Sequence, residues 1–386
     1  MLHLLVNADV YAPEPLGRKH VLVAHGRIAA VLDTIPMLDE SLAVETADLY
    51  GRRLVPGFVD GHVHVTGGGG EAGFETAVPP VPLSAFTLGG TTTVVGLLGT
   101  DDLTRTTSSL LARVRALRAE GLSAYAYTGG YHVPPATFTG SVRSDIVHLG
   151  PVIGCAEIAV SDHRSSQPTF DELARIASEC HVAGLMTGKA GVLHLHLGDG
   201  ARGLDLVRRA LAETELPPRT FYPTHVNRNR RLFDEALALV PHGVTIDVTA
   251  FPVEDGEDAW SAEDALERYW NAGLPPERIT VTTDAGGALP VFDRQGELVK
   301  LDYARPSALL ATVQALLARG HALETVLPPF TANPARALRL HGKGRIEAGR
   351  DADFAVLDAD GALTDVMARG AWHVRDGALV RKGTFE

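Results

Sequence analysis

Cysteine is scarce in this chain: Cys155 and Cys180 are the two thiols in 386 residues. Two cysteines in so long a chain make no disulfide framework, which leads to the expectation of a reducing, cytoplasmic setting. Long apolar runs are missing as well. None approaches the ~20 residues that a membrane-spanning helix requires. The opening stretch MLHLLVNADVYAPE lacks a basic segment and a small-residue cleavage site, so no secretory signal is expected. Positive charge is also in deficit, with 35 Lys and Arg against 47 Asp and Glu, a formal net charge of −12. Such a surface argues against nucleic acid or an anionic membrane as partner. An anionic substrate would be repelled by that background, so its site must carry its own arginines.

What is present reads as an ordinary folded chain, long enough for one large core or two smaller ones. Hydrophobic residues make up 45% and charged residues 21%, an ordinary globular mixture. There are no repeats at solenoid periods and no low-complexity tract. Short apolar runs at 2–10, 20–24 and 27–32 are separated by Pro and Gly turns, and similar runs stand at 353–358, 371–375 and 378–381 around an Asp376–Gly377 turn. Neither set buries a sheet alone, so both termini (1–54 and 343–386) are expected to build one composite β-domain. Between them lie strand candidates at 58–65, 91–99, 122–128, 151–160, 191–197, 220–226, 244–249 and 279–284. Amphipathic helix patterns follow at 171–180, 204–213, 232–240 and 307–319. Strand–helix alternation on this scale predicts an α/β fold, a (β/α)8 TIM barrel over 55–342.

In such a barrel the chemistry gathers at the C-terminal ends of the strands. His62 and His64 close the first strand as His-Val-His. Residues two apart on a strand share a face, so both imidazoles can reach one metal. His196 ends the fifth strand, His225 the sixth and Asp284 the eighth. Any one of these histidines alone would read as structural; four of them with a carboxylate on one rim point to metal.

The stretch PGFVDGHVH at 56–64 resembles the signature of the metal-dependent amidohydrolases. Within that superfamily the chain is similar, over nearly its whole length, to the β-aspartyl (isoaspartyl) dipeptidases. The stretches that carry this are HVHVTGGGGEAG (62–73), LLGTD (97–101), TGGYHVP (128–134), SDHRS (161–165), HLGD (196–199), PTHVNRN (223–229) and GALVRKGTFE (377–386). The resemblance implies that His62 and His64 hold one metal and His196 and His225 a second. It implies that Asp284 binds the first metal and transfers the proton, and that Tyr131 stabilises the oxyanion. Gly69, Glu71 and Thr100 would receive the substrate's α-amino end, and Arg164 and Arg228 its carboxylates. Two zinc ions per chain, a small anionic dipeptide as substrate and a homo-oligomer are further implications. The charges make sense independently. A β-aspartyl dipeptide carries one ammonium and two carboxylates, and two arginines with one glutamate complement it.

The chain departs from the family pattern in two places. The family bridges its metals with a carboxylated lysine late in the fourth strand; here that position is Glu157, with one residue inserted after Gly154. Lys189 is no substitute, standing roughly 23 Å from His196 along an extended segment. Glu157 is therefore expected to bridge in the lysine's place, or else to support a single tightly held metal. Ala288, in DAGGA (284–288), replaces a serine hydroxyl that helps bind a substrate carboxylate. That loss costs ~1.5–3 kcal/mol of binding unless a water fills the place. His194 lies one layer deeper than His196 and is read as barrel interior; His132 and His163 are read as structural. A lid, if there is one, would lie in 132–145 or 285–302. Two other readings stay open: a related amidohydrolase acting on N-acyl amino acids or cyclic amides, and a catalytically silent barrel used for binding or assembly.

Overall fold

The computed structural model describes residues 2–39, 41–292 and 298–386. All eight expected barrel strands form, each shorter than its apolar run. They are β1 (Phe58–Val63), β2 (Thr91–Gly96), β3 (Ser123–Thr128), β4 (Val152–Val160), β5 (Val192–Leu197), β6 (Phe221–Thr224), β7 (Ile246–Thr249) and β8 (Ile279–Thr282). Strands β1 to β6 pair in parallel, in chain order, and β7 pairs with β8. Single bonds complete the ring: Val226 N donates to Asp247 O across β6 and β7, and His64 N to Ala285 O across β1 and β8. Every residue of β4 is buried, as expected of a parallel strand covered on both faces.

The helices outside the ring have clear start and stop signals. Thr169 and Glu172 form a capping box ahead of helix Phe170–Thr187, and Gly188 ends it in the left-handed conformation. Thr106 and Ser109 do the same ahead of helix Thr107–Glu120. These helices press Leu110, Val114, Leu173 and Cys180 onto the strands. Inside the ring, Val59, Tyr127, Val192, Tyr222 and Leu338 plug the lower half. The upper half is left to polar side chains.

Both termini meet in a nine-stranded sheet. Leu2–Tyr11 pairs with Pro15–Ala24, which pairs with Arg27–Leu32. The link between the two ends is Arg53–Pro56, which lies parallel to the first strand and antiparallel to Phe354–Leu357. The sheet thus runs past residue 54. Strands Val44–Asp48 and Leu363–Ala368 gave no sequence signal, because their charged and apolar residues do not alternate cleanly. After β8 the chain forms an antiparallel pair, Ala288–Phe292 with Leu298–Tyr303, all but its last residue within 285–302, and 293–297 lies outside the described residues. No helix among the described residues is long and apolar enough to cross a membrane.

Candidate metal centre

Five strand ends bring the ligand candidates together. His62 lies in β1 and His64 one residue past it; His196 lies in β5, His225 follows β6 and Asp284 follows β8. His225 and Asp284 leave their strands with φ of 59° and 57°, in the left-handed region that side chains other than glycine rarely adopt. Each such residue costs on the order of 1–3 kcal/mol, and such strain collects at functional sites. Here it turns both side chains into the barrel mouth.

Glu157 reaches the same point through an irregularity. Leu193 of β5 faces Cys155 of β4, but Leu195 faces Ile158, so β4 has one extra residue between them. A bulge of this kind re-aims a side chain. Glu157 Oε1 comes to 2.8 Å from His196 Nδ1, 3.1 Å from His225 Nε2 and 3.5 Å from His62 Nε2. Its Oε2 lies 3.8 Å from His64 Nε2. The carboxylate therefore stands between the two histidine pairs. Lys189 is elsewhere, with its ammonium on the carbonyls of Ile146 and Leu149.

The hydrogen bonds behind the histidines decide which nitrogens face the centre. His194 Nδ1 is 2.8 Å from the Tyr222 carbonyl, which can only accept, so that nitrogen carries the proton. Burial pushes His194 well below its ordinary pKa, so the ring is neutral and its Nε2 accepts. His62 Nδ1, 2.8 Å away, must then be the donor, which leaves His62 Nε2 as a bare lone pair. That lone pair is 3.2 Å from Asp284 Oδ1, an acceptor facing an acceptor. On the other side His196 Nε2 is 2.9 Å from Asp162 Oδ2. Burial pushes Asp162 up, but His196 and Arg164 outweigh it and hold the carboxyl well below its usual range. His196 therefore donates to Asp162 through Nε2 and turns the lone pair of Nδ1 to Glu157 Oε1. The Thr249 hydroxyl, 2.7 Å from His225 Nδ1, orients the third ring.

These groups fit a divalent cation. His62 Nε2, Asp284 Oδ1 and Glu157 Oε2 are buried with no hydrogen-bond partner among the described residues. Burial pushes His62 and His225 down, and His196 to about 4, so all three are neutral, as metal ligation requires. Burial and the charge of Asp284 push Glu157 up, so both carboxylates ionise together only with positive charge between them. Two overlapping groups have ligating atoms within one coordination distance: His62, His64 and Asp284, and His62, Glu157 and His225. His196 stands outside both and touches the centre through Glu157.

The candidate substrate groups surround a cavity of about 1200 Å³ above this centre. The Tyr131 hydroxyl is 2.9 Å from His196 Nδ1, and burial keeps it a phenol by pushing its pKa well up. Arg164 holds Asp162 at 2.8 Å and Glu71 at 3.3 Å. The Thr100 hydroxyl is 3.4 Å from Glu71. Arg228 grips Asp199 with two bonds of 3.1 and 3.0 Å. Gly69 sits at φ 75°, and a Cβ there would come 2.8 Å from the Thr76 carbonyl, so glycine is required where this loop lines the cavity. Ala288 lines the same cavity beside Gly69. His132 pairs with Asp102 at 3.1 Å, away from the centre. Sequence reasoning missed the supporting roles of Asp162 and Thr249. Asp162 stands in the SDHRS stretch two residues before Arg164, and that was its one signal. Thr249 had none, because its role depends on β6 and β7 lying side by side.

Comparison with known proteins bears on the chain as a whole. A model described as the amidohydrolase family matches residues 53–373. A crystal structure of β-aspartyl dipeptidase from Fervidobacterium islandicum AW-1, in complex with β-Asp-Leu dipeptide, superposes with a TM-score of 0.92. It is 41% identical, with 98% of each chain covered. A second structure of the dipeptidase from that organism is 39% identical with a TM-score of 0.90, again with 98% of each chain covered. Among curated proteins, an allantoinase from Streptomyces avermitilis is 26% identical over 94% of this chain and 87% of its own length.

Proposed function

The chain belongs to the amidohydrolase family and, within it, to the β-aspartyl dipeptidases; from that premise we propose that it hydrolyses the β-aspartyl amide bond of isoaspartyl dipeptides. The observation that carries the reading is the barrel mouth itself. Unprotonated imidazole nitrogens converge on two carboxylates there, with two arginines and a glutamate beside them. The F. islandicum dipeptidase crystallised with β-Asp-Leu supports the substrate class.

We further propose zinc, two ions per chain. His62, His64 and Asp284 would hold one, His196 and His225 the other, and Glu157 would lie between them. Bound there, the ions supply the positive charge that makes a water nucleophilic near neutral pH and polarises an amide carbonyl. The remaining steps belong to the side chains. Asp284 takes the proton of the attacking water and passes it to the leaving α-amine. Tyr131 keeps its phenolic proton and donates it as a hydrogen bond to the developing oxyanion. Arg164 and Arg228 receive the two substrate carboxylates through their planar forks. Glu71, with Thr100 and the backbone at Gly69, receives the ammonium. The products are aspartate and a free amino acid.

The test is steady-state hydrolysis of β-Asp-Leu, α-Asp-Leu and N-acetyl-leucine by the metal-loaded protein. Turnover confined to β-Asp-Leu is expected. Turnover of N-acetyl-leucine with β-Asp-Leu inert would overturn the substrate assignment and leave the amidohydrolase chemistry.

A further inference from the structure

The opposite mouth of the barrel, at the N-terminal ends of the strands, holds a second cavity of about 310 Å³. Four arginines line it. Arg219 stands just before β6 and Arg278 just before β8; Arg336 and Arg339 lie in and just beyond helix Ala332–Ala337. On a chain of net charge −12, four guanidinium groups around one small hollow are out of keeping with the rest of the surface.

Some exposed arginines elsewhere are matched by acids, as Arg209 is by Glu213 and Arg231 by Glu235. The four at this mouth stand together without that: among the described residues none of them forms an ion pair. Arg278 donates to the Gly243 carbonyl at 2.7 Å, Arg336 to the Glu277 carbonyl at 2.6 Å, and Arg339 to the Lys189 carbonyl at 3.2 Å. Each of those bonds uses one nitrogen and leaves other donors of the fork free. Arg219 makes no hydrogen bond to the protein among the described residues, and its side chain is exposed. Burial and the charge of Arg339 push Arg219 below its ordinary pKa, so the cations repel one another in the empty protein. Glu277, the single carboxylate at the rim, offsets only part of this charge. The buried walls Phe221 and Tyr222 close the cavity from within, so an occupant enters from solvent and meets the guanidinium groups first.

We propose that this cavity binds a phosphate-bearing dianion, inorganic phosphate or a phosphomonoester. Guanidinium forks match tetrahedral oxyanions through paired bonds, and a doubly charged ligand neutralises more of the cluster than a monoanion does. The cavity lies at the opposite end of the barrel from the metal centre, so it is separate from the hydrolytic site.

The test is calorimetric titration of the full, metal-loaded chain with inorganic phosphate and with AMP, each against sodium chloride of matched ionic strength. One saturable site is expected that weakens at least tenfold in the double variant Arg219→Gln/Arg336→Gln, while β-Asp-Leu turnover keeps its unmodified rate. Tighter binding of AMP identifies a phosphomonoester, and tighter binding of phosphate the free anion. Failure of both anions to bind saturably would overturn the proposal. So would an affinity unchanged in the double variant, which would place the anion elsewhere, at Arg164 and Arg228 for instance.

Discussion

At the scale of single residues, the account turns on atoms that have no proton between them. His62 Nε2 and Asp284 Oδ1 face each other at 3.2 Å as two acceptors, because His194 fixes the proton of His62 on the other nitrogen. His194→Phe should therefore weaken metal affinity about 10–100-fold, the usual effect of removing a partner that orients a ligand. Competition with a chromogenic chelator reads this directly, and unchanged affinity would show that His62 needs no such support. Asp284→Asn should lower kcat by about a hundredfold or more while metal stays bound, since the amide can ligate but cannot take up the proton. Retention of most activity would remove Asp284 from proton transfer. The gathering of the four histidines and Asp284 at one barrel mouth was legible in the sequence, because strand ends and a period of two announce it. The aim of Glu157 was legible only as a residue type, since a bulge between Cys155 and Ile158 sets its direction. His194 is barrel interior, as its depth in β5 predicts, but its bond to the Tyr222 carbonyl was not legible, because that partner belongs to a neighbouring strand.

At the scale of elements, strand positions were easy to read and sheet partners were not. The buried runs of β1 to β8 are continuous and apolar, whereas Arg53–Pro56, four residues long, had no pattern of its own and is what joins the two termini. Beside that sheet, strand Ala371–Arg375 carries His373 into the contact with helix Thr107–Glu120. A Cβ on Gly121 would lie 3.1 Å from its Nε2. Neither ring nitrogen of His373 has a partner among the described residues. Burial pushes its pKa down to about 4, with the charge of Arg381 adding to the effect. The folded state thus prefers the neutral ring. This contribution to stability is complete above the unfolded value of about 6.5 and is lost as pH falls toward 4. The loss reaches about 3 kcal/mol at most. Urea denaturation at pH 7.5 and pH 4.5 should show His373→Phe losing less stability across that interval than the unmodified chain. Equal losses would mean that His373 titrates normally in the fold.

At the scale of the whole molecule, the proposed metal would be linked to the fold. The candidate ligands come from β1, β4, β5 and the turns after β6 and β8, so cations held as proposed would tie five strand ends together. Ligands that bind only the native state raise stability by RT ln(1 + [L]/Kd), about 2.7 kcal/mol at a hundredfold excess over Kd. Chelation should lower Tm by several degrees and added zinc should restore it; a Tm indifferent to chelation would contradict the linkage. Against a net charge of −12, the arginines that line the cavity above this centre would supply local attraction for the proposed anionic substrate. Long-range closure of the barrel was predictable from the strand count, while the charged cavity at its far mouth was not. Its arginines come from three separate stretches of chain that only the closed ring brings together.

The central claim is that Glu157 does the work of a bridging carbamate between two ions. Its most direct test is a titration of metal-free protein with zinc, with bound metal and β-Asp-Leu turnover followed on the same sample. The account predicts that turnover rises to a plateau at two equivalents in the unmodified chain and that Glu157→Gln binds at most one. A plateau at one equivalent, or a β-Asp-Leu that stays intact at full metal loading, would contradict it.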